Sequence, residues 1–326
     1  MQSAKEFNPG CFPMLSRWIF PEDEADHADA RNGLQAFAVA LTKRLADDDD
    51  GRSGNLIYSP LSLYVALSLV AAGARERTLG ELLAILGAPL TDLVLVNAIY
   101  FKGRWEKPFE KVHTKEDKFH RLDGTGINVP FMRGFGSRHL IACDDGFKVL
   151  KLRYEQGWQL PFQQAPPVYS MCVFLPDATD GLRPLADKIA SAPDFLHKHL
   201  PKSTTLVGDF RLPKFKLSFD TDIANVLQEL GLKEAFDLGK ADLSDMAQED
   251  GARRLALQLV LHKAVIEVNE EGTEAAAATG VTMYGYCARI PPRVDFVADH
   301  PFAFSVIEEV SGAILFAGHV VDPSIK

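Results

Sequence analysis

The stretch that decides the fold is HKAVIEVNEEGTEAAAATG, residues 262–280. Its first half belongs to an apolar, strand-like run that predicts one long strand over 255–271. Alanines 275–278 follow, bracketed by the flexible points Gly272 and Gly280. Alanine favours helices, but so short a helix is unstable in water without packing, and alanine is depleted in strands. The tract therefore has no strong preference for either a helix or a strand.

The tip that follows the alanines, residues 281–293, holds large side chains. Its apolar residues do not recur at the spacing of a helix or a strand. Met283, Tyr284 and Tyr286 are its bulky members. The small side chains before the tip suit a segment that slides between existing strands. An alanine linker followed by unpatterned aromatic residues is the alternative interpretation, and composition alone leaves it open.

The composition of the chain restricts its class. At 326 residues, 47% hydrophobic and 24% charged, it can bury a sizeable core. A net charge of -9 argues against nucleic acid as a partner. The four cysteines form no C-x-x-C pattern, which favours a reduced compartment. The N-terminus lacks a signal-peptide core and no run is long enough to span a membrane, so we expect a cytoplasmic protein without membrane contact.

The order of the elements along the chain predicts an α+β domain. Residues 1–30 are expected to be a loosely ordered, acidic leader, and a helix is predicted from Arg31. Ser59 can cap a buried helix that starts at Pro60, and a further helix ends at Gly87. The run LVLVNAIYF, residues 93–101, predicts a buried strand, and the second half of the chain is mostly strands.

The sequence carries no catalytic or metal-binding motif. The G-x-S-x-G, P-loop and G-x-G-x-x-G patterns are absent. His197 and His199 are two residues apart, so they would not share a helix face, and no third ligand is near. We therefore expect no enzyme activity, no cofactor and no metal.

Four motifs carry a resemblance to a known family: NAIYFKGRWEKPF (97–109), the stretch 262–280, DFVADHPFAF (295–304) and GAILFAGHVVDP (312–323). In these the chain resembles the serpins, a family of serine protease inhibitors, and within it the plant serpins of the Z type. The resemblance runs from about Arg31 to Pro323. It implies a serpin fold, with a central β-sheet, further sheets, surrounding helices and an exposed reactive-centre loop. It also implies a monomer, and it admits the extracellular space as a location.

The resemblance implies a function for the stretch 262–280. It implies a hinge and a loop that serves as bait for a protease, and cleavage of the bait lets the hinge insert as a new strand into the central sheet. The protease, still attached as an acyl-enzyme, would be dragged away and distorted. The residues of this exposed hinge would be Glu270, Glu271, Gly272, Thr273, Glu274, Ala275, Ala276, Ala277, Ala278, Thr279 and Gly280.

Family spacing places the reactive bond after the fourteenth residue beyond Gly272, which is Tyr286, with Cys287 following. A tyrosine there favours a chymotrypsin-like target with an apolar pocket. Arg289 is the competing bait, for a trypsin-like protease, but it lies three residues further along. Papain-like cysteine proteases are an additional target class that the resemblance to plant serpins leaves open.

Other positions match supporting parts of the family. Asn97 and His262 correspond to a polar pair beneath the place where the sheet opens, and Ser59 begins the helix below it. Trp105 sits where the family keeps an aromatic residue at the entry point of the loop. Each of these residues is equally compatible with an ordinary role in a core or a helix cap.

The chain departs from the family near residue 90, where LLAILGAPL runs almost directly into TDLVLVNAIY. A full serpin has several dozen more residues here, forming three helices and two strands of the central sheet. The predicted domain is thus a truncated serpin fold over 31–326 with a deletion near 88–92, and the strands that must part, 93–101 and 257–269, remain. Two hypotheses stay open, an inhibitor acting by loop insertion and a non-inhibitory protein that is a substrate or a scaffold.

Overall fold

The computed structural model describes residues 24–47, 54–87, 101, 103–135, 138–156, 167–192, 194–246, 255–273 and 293–325. The α-helices in these ranges are α1 (Glu24–Asp47), α2 (Pro60–Ala72), α3 (Glu76–Leu86), α4 (Leu182–Ile189), α5 (Phe195–Lys198) and α6 (Ala224–Glu229). The strands of the first half are β1 (Leu56–Tyr58), β2 (Gly103–Arg104), β3 (Lys115–His120), β4 (Gly126–Phe135), β5 (Arg138–Asp144), β6 (Phe147–Arg153) and β7 (Tyr169–Pro176). Those of the second half are β8 (Thr204–Pro213), β9 (Phe215–Asp222), β10 (Leu261–Val268), β11 (Gly272–Thr273), β12 (Val294–Val297), β13 (Phe302–Glu308) and β14 (Ile314–Val320).

The largest sheet in these ranges runs in the order β1-β14-β13-β7-β6-β5-β8-β4-β3. Neighbouring strands in this order are antiparallel. Strand β12 also belongs to the sheet and pairs in parallel with β8. Helices α1 and α2 lie against β14. Large side chains without solvent exposure fill the interior, among them Phe174, Phe210, Phe302 and Phe316. This arrangement confirms the α+β class.

A second, two-stranded sheet holds the first part of the stretch 262–280. Strands β9 and β10 pair antiparallel over their full length, from Leu261 opposite Asp222 to Val268 opposite Phe215. The ring of Phe215 contacts those of Phe302 and Phe304, 5.9 and 5.6 Å between centroids, so this pair packs on the larger sheet.

The outer face of the β9–β10 pair carries charged residues, although Leu261 is also exposed on it. Lys216 lies 2.6 Å from Glu267 and Lys263 lies 3.0 Å from Asp220, each pair joining the two strands. Opposite charges on facing strand positions stabilise a solvated sheet face.

The N-terminal helix is longer than predicted. Helix α1 begins at Glu24 rather than at Arg31, so the predicted leader is wrong for its last residues, whereas residues 1–23 lie outside the described part. The sequence there holds Ala25, Ala28 and Ala30 behind an acidic start, and both features favour the first turns of a helix. No helix in the described ranges has the length and apolar character needed to cross a lipid bilayer.

The predicted long strand over 255–271 is shorter in the structure. Residues 255–260 belong to no strand, and β10 starts only at Leu261. The backbone N–H of Leu257 donates to Ala235 O at 2.7 Å, and Val260 O accepts from Ile223 at 3.0 Å. Tertiary contacts with the region around α6 thus take the hydrogen bonds that a ladder would use.

Candidate functional site

The site lies where β10 ends and the chain turns back through Glu270 and Glu271. The backbone N–H of Asn269 donates to Gly272 O at 3.0 Å, and that of Gly272 donates to Asn269 O at 3.3 Å. Beyond the turn, β11 pairs antiparallel with β2, which puts Gly272 opposite Arg104 and Thr273 opposite Gly103. The first residues of the predicted hinge therefore lie between the end of β10 and β2.

The expectation of an exposed hinge is wrong for its first three residues. Glu270 is 4% exposed and Glu271 is 7% exposed, and Gly272 is buried. Backbone hydrogen bonds explain this, because Trp105 N–H donates to Glu271 O at 2.9 Å and Phe109 N–H donates to Glu270 O at 2.8 Å. The remaining hinge residues, 274–280, and the predicted reactive bond, Tyr286–Cys287, lie outside the described residues.

The two buried glutamates of the turn are both paired with lysines. Glu270 accepts a hydrogen bond from Thr114 Oγ1 at 2.7 Å and lies 3.0 Å from Lys214 Nζ. Burial opposes ionisation of Glu270, but the hydrogen bonds from Thr114, its own backbone N–H and Lys214 outweigh it and hold the pKa below its ordinary value. Lys111 pairs with Oε1 of Glu271. The turn thus carries two charges that the fold neutralises locally.

Trp105 packs against the end of β10, and its predicted role at the entry of the loop stays a prediction. Its side chain is 2% exposed, and its Nε1–H donates to Asn269 O at 2.9 Å. Its ring stacks on Tyr154 with centroids 4.6 Å apart, and Phe101 meets the same tyrosine edge-on at 4.7 Å. Tyr154 is a residue that sequence reasoning missed, since nothing near it in the sequence points to Trp105.

Ser59, at the start of α2, forms hydrogen bonds to strands of two different sheets. Its Oγ donates to Leu315 O at 2.6 Å in β14, and it accepts from Ser62 N–H at 3.3 Å. Its backbone N–H donates to Nε2 of His262 in β10 at 2.9 Å. The structure therefore brings the predicted residues Ser59 and His262 together. Asn97, the other member of the predicted polar pair, lies outside the described residues.

The contact with Ser59 requires a neutral His262. The side chain is 4% exposed, and burial lowers its pKa to about 4. Because Nε2 accepts the Ser59 hydrogen bond, the single ring proton is on Nδ1. His139, whose ring stacks on Phe109 and Phe210, is similar, since burial and the charge of Lys107 lower its pKa to about 4.

We expect the free energy of unfolding to fall as the pH falls from about 6.5 to about 4. In this window the unfolded chain binds a proton at His262 that the folded chain excludes, so acid favours unfolding. The contribution of His262 is of order 3 kcal/mol across the window. Urea unfolding at pH 7.5 and pH 5 measures it, with His262→Gln, which keeps an acceptor, as the comparison. The variant should retain only the part of the slope due to His139 and other groups, and an unchanged slope would contradict the assignment.

The chain matches one protein family along most of its length. The model of the family described as serpin (serine protease inhibitor) matches residues 32–92 and 87–323. The two matched ranges overlap at residues 87–92, which is where the sequence predicts a missing segment. Serpin-Z2B of Oryza sativa subsp. japonica is 40% identical over 407 aligned positions, covering 93% of this chain and 99% of the relative. That alignment is longer than the 326 residues of this chain, so it contains gaps.

Solved structures show the same fold. AtSerpin1 of Arabidopsis, in its native stressed conformation, matches with a TM-score of 0.74 at 28% identity, over 91% of this chain and 99% of that one. Human thyroxine-binding globulin in complex with thyroxine matches with a TM-score of 0.72 at 20% identity, over 91% of this chain and 99% of that one. The second likeness is one of fold alone.

Proposed function

The chain belongs to the serpin family, and on that premise we propose that it inhibits a serine endopeptidase as a suicide substrate. The protease serine attacks the carbonyl carbon of Tyr286, the amide bond to Cys287 breaks, and the new amine of Cys287 takes a proton. The acyl-enzyme then persists because the hinge inserts into the sheet before water can release it.

The observation that best supports this proposal is the pairing of β11. Gly272 and Thr273 run antiparallel to β2, and Gly272 also bonds to Asn269 at the end of β10. Insertion from this arrangement extends a ladder that has already started. Each further hinge residue gains backbone hydrogen bonds, and small side chains such as those of alanines 275–278 limit clashes with the layer beneath.

A non-inhibitory role is the second candidate, and the family match in two pieces favours it. Fast insertion needs strain in the native sheet and a rigid body to pull against. A chain that lacks two strands and the helix across them should store less strain. The polar outer face of β9 and β10 limits this loss, because those strands keep their own solvated surface. We therefore propose an inefficient inhibitor that behaves partly as a substrate.

A titration of active chymotrypsin with the purified chain tests the function. We expect mostly cleaved protein and a minority of covalent complex that survives denaturing electrophoresis. The same titration with papain examines the cysteine proteases. Complete cleavage without any complex would support the non-inhibitory role, and near-stoichiometric complex would show that the missing segment is dispensable.

We expect brief digestion with chymotrypsin to cut first after Tyr286, since a tyrosine fits the apolar pocket of such proteases. Mass spectrometry of the fragments locates the bond. Tyr286→Ala should slow this first cut by at least about tenfold, because an apolar pocket loses several contacts, while Arg289→Ala should leave it unchanged. A dominant first cut after Arg289 by trypsin, with Tyr286 resistant to chymotrypsin, would move the reactive bond.

A further inference from the structure

Residues 255–261, which lead into β10, carry three exposed leucines. Leu255 is 40% exposed, Leu259 is 63% exposed and Leu261 is 71% exposed. No other stretch of seven residues in the described ranges holds three large apolar side chains that are exposed. Apolar side chains that are exposed close together indicate an interaction surface.

The backbone of the same segment also lacks hydrogen-bond partners. The N–H groups of Ala256, Gln258 and Leu259 donate to no other described residue, and no described residue donates to the carbonyl oxygens of 255–259. Free N–H and C=O groups in a row readily pair with a further segment of chain. The surface thus offers backbone hydrogen bonds as well as apolar contacts.

The sequence of the segment is nearly the same in both directions: Leu-Ala-Leu-Gln-Leu-Val-Leu. A second copy that runs antiparallel about Gln258 therefore meets it with matching residues. The three apolar pairs are Leu255 with Leu261, Ala256 with Val260, and Leu257 with Leu259. The two Gln258 side chains meet at the axis, where each amide can donate to the other and accept from it. Such a contact has two-fold symmetry, since one surface serves both partners.

We propose that this chain forms a homodimer in which residues 255–261 of two copies pair antiparallel about Gln258. The pairing supplies partners for the free backbone groups and removes the exposed leucines from water. The contact uses no residue of the turn at 269–272, so it does not depend on protease inhibition. The monomer that the resemblance implies is then in equilibrium with this dimer.

The size of the contact limits its strength. The apolar row ends at Lys263, the next outward position of β10, which is paired with Asp220 at 3.0 Å. Stable interfaces bury about 1,200 Å² or more in total, and seven residues from each copy provide less than that. We therefore expect a reversible dimer with a dissociation constant in the micromolar range.

Sedimentation equilibrium of the full chain, between about 1 and about 200 µM, tests the dimer. We expect Leu259→Lys to weaken it by at least about tenfold, because the charge would be buried in the contact without a partner. Leu238→Lys is the matched control, since Leu238 is 60% exposed elsewhere on the surface. It should leave the dissociation constant unchanged. Both side chains are exposed, so neither substitution should unfold the protein.

A pair of opposite charges tests the register. Leu255→Glu and Leu261→Lys should each weaken the dimer. The double variant places a glutamate opposite a lysine twice across the axis, so it should recover most of the affinity. That recovered affinity should fall as the salt concentration rises, whereas the affinity of the original dimer should not.

Several results would overturn the proposal. These are a monomer at every concentration, growth beyond the dimer, equal effects of Leu259→Lys and Leu238→Lys, or no recovery in the double variant. Hydrogen exchange at Gln258 and Leu259 separates a second copy from another part of the same chain. Exchange that slows as the protein concentration rises supports the dimer. Slow exchange at every concentration in a monomer would show that the chain covers this segment itself.

Discussion

Replacing Thr273 by arginine is expected to abolish the covalent complex with chymotrypsin while cleavage after Tyr286 continues. Thr273 is paired opposite Gly103 in the short β11–β2 ladder, so insertion of the hinge would continue from it. A charged side chain at this position would have to stay in the sheet without a partner once the next hinge residues insert, which costs several kcal/mol. That cost slows insertion, whereas hydrolysis of the acyl-enzyme is unaffected.

The measurement is the ratio of complex to cleaved product on denaturing gels. We expect at least about a hundredfold less complex for Thr273→Arg, since about 2.7 kcal/mol in a barrier corresponds to that factor. Thr273→Val, which is also β-branched and of similar size, is the control and should keep the complex. Persistence of the complex in the arginine variant would show that this position does not enter the sheet.

The second large effect is expected at Gly272. Its φ of 137° is unfavourable for other residues, and an added Cβ would lie 2.2 Å from Gly103 O and 2.7 Å from the Cα of Arg104. Both atoms belong to the backbone of β2 and cannot move cheaply. Gly272→Ala should therefore separate β11 from β2 and cost about 1–3 kcal/mol of unfolding free energy beyond the conformational penalty alone.

Gly231 provides the matched control for that penalty. Its φ is 117°, and an added Cβ meets nothing within 4 Å. The losses of unfolding free energy in Gly231→Ala and Gly272→Ala, measured with urea, should therefore differ by the cost of the clash with the backbone of β2. Hydrogen exchange at Trp105 and Phe109, whose N–H groups bond to the turn, should accelerate only in Gly272→Ala. Equal losses of stability and unchanged exchange in both variants would contradict the pairing.

The elements with local signals could be predicted from the sequence. Helix α2 begins with a serine cap and a proline at its first position, as expected from Ser59 and Pro60. Helix α3 ends at Gly87, whose left-handed conformation suits glycine. The hairpin of β13 and β14 turns at Gly312, whose φ of 73° suits glycine and is a local signal of a turn. In each of these cases the information lies within a few residues of the feature.

The features that sequence reasoning missed depend on distant partners. The burial of Glu270 comes from Phe109, Thr114 and Lys214, which are remote in sequence. A pair of glutamates beside a glycine is typical of an exposed turn, so composition alone indicates the opposite environment. The unpaired run 255–260 is likewise decided by contacts with Ala235 and Ile223, against its own strand propensity.

The residues that contact the turn at 269–272 lie on one side of the segment predicted to be missing. The residues whose groups contact the turn all follow the junction near residue 90: Gly103, Arg104, Trp105, Phe109, Lys111, Thr114 and Lys214. The segment predicted to be missing, whether through a splice form, a gene-model error or a degenerate gene, therefore includes none of the groups that contact this turn. A chain without that segment can therefore keep every contact of its predicted hinge turn while it lacks part of the predicted body.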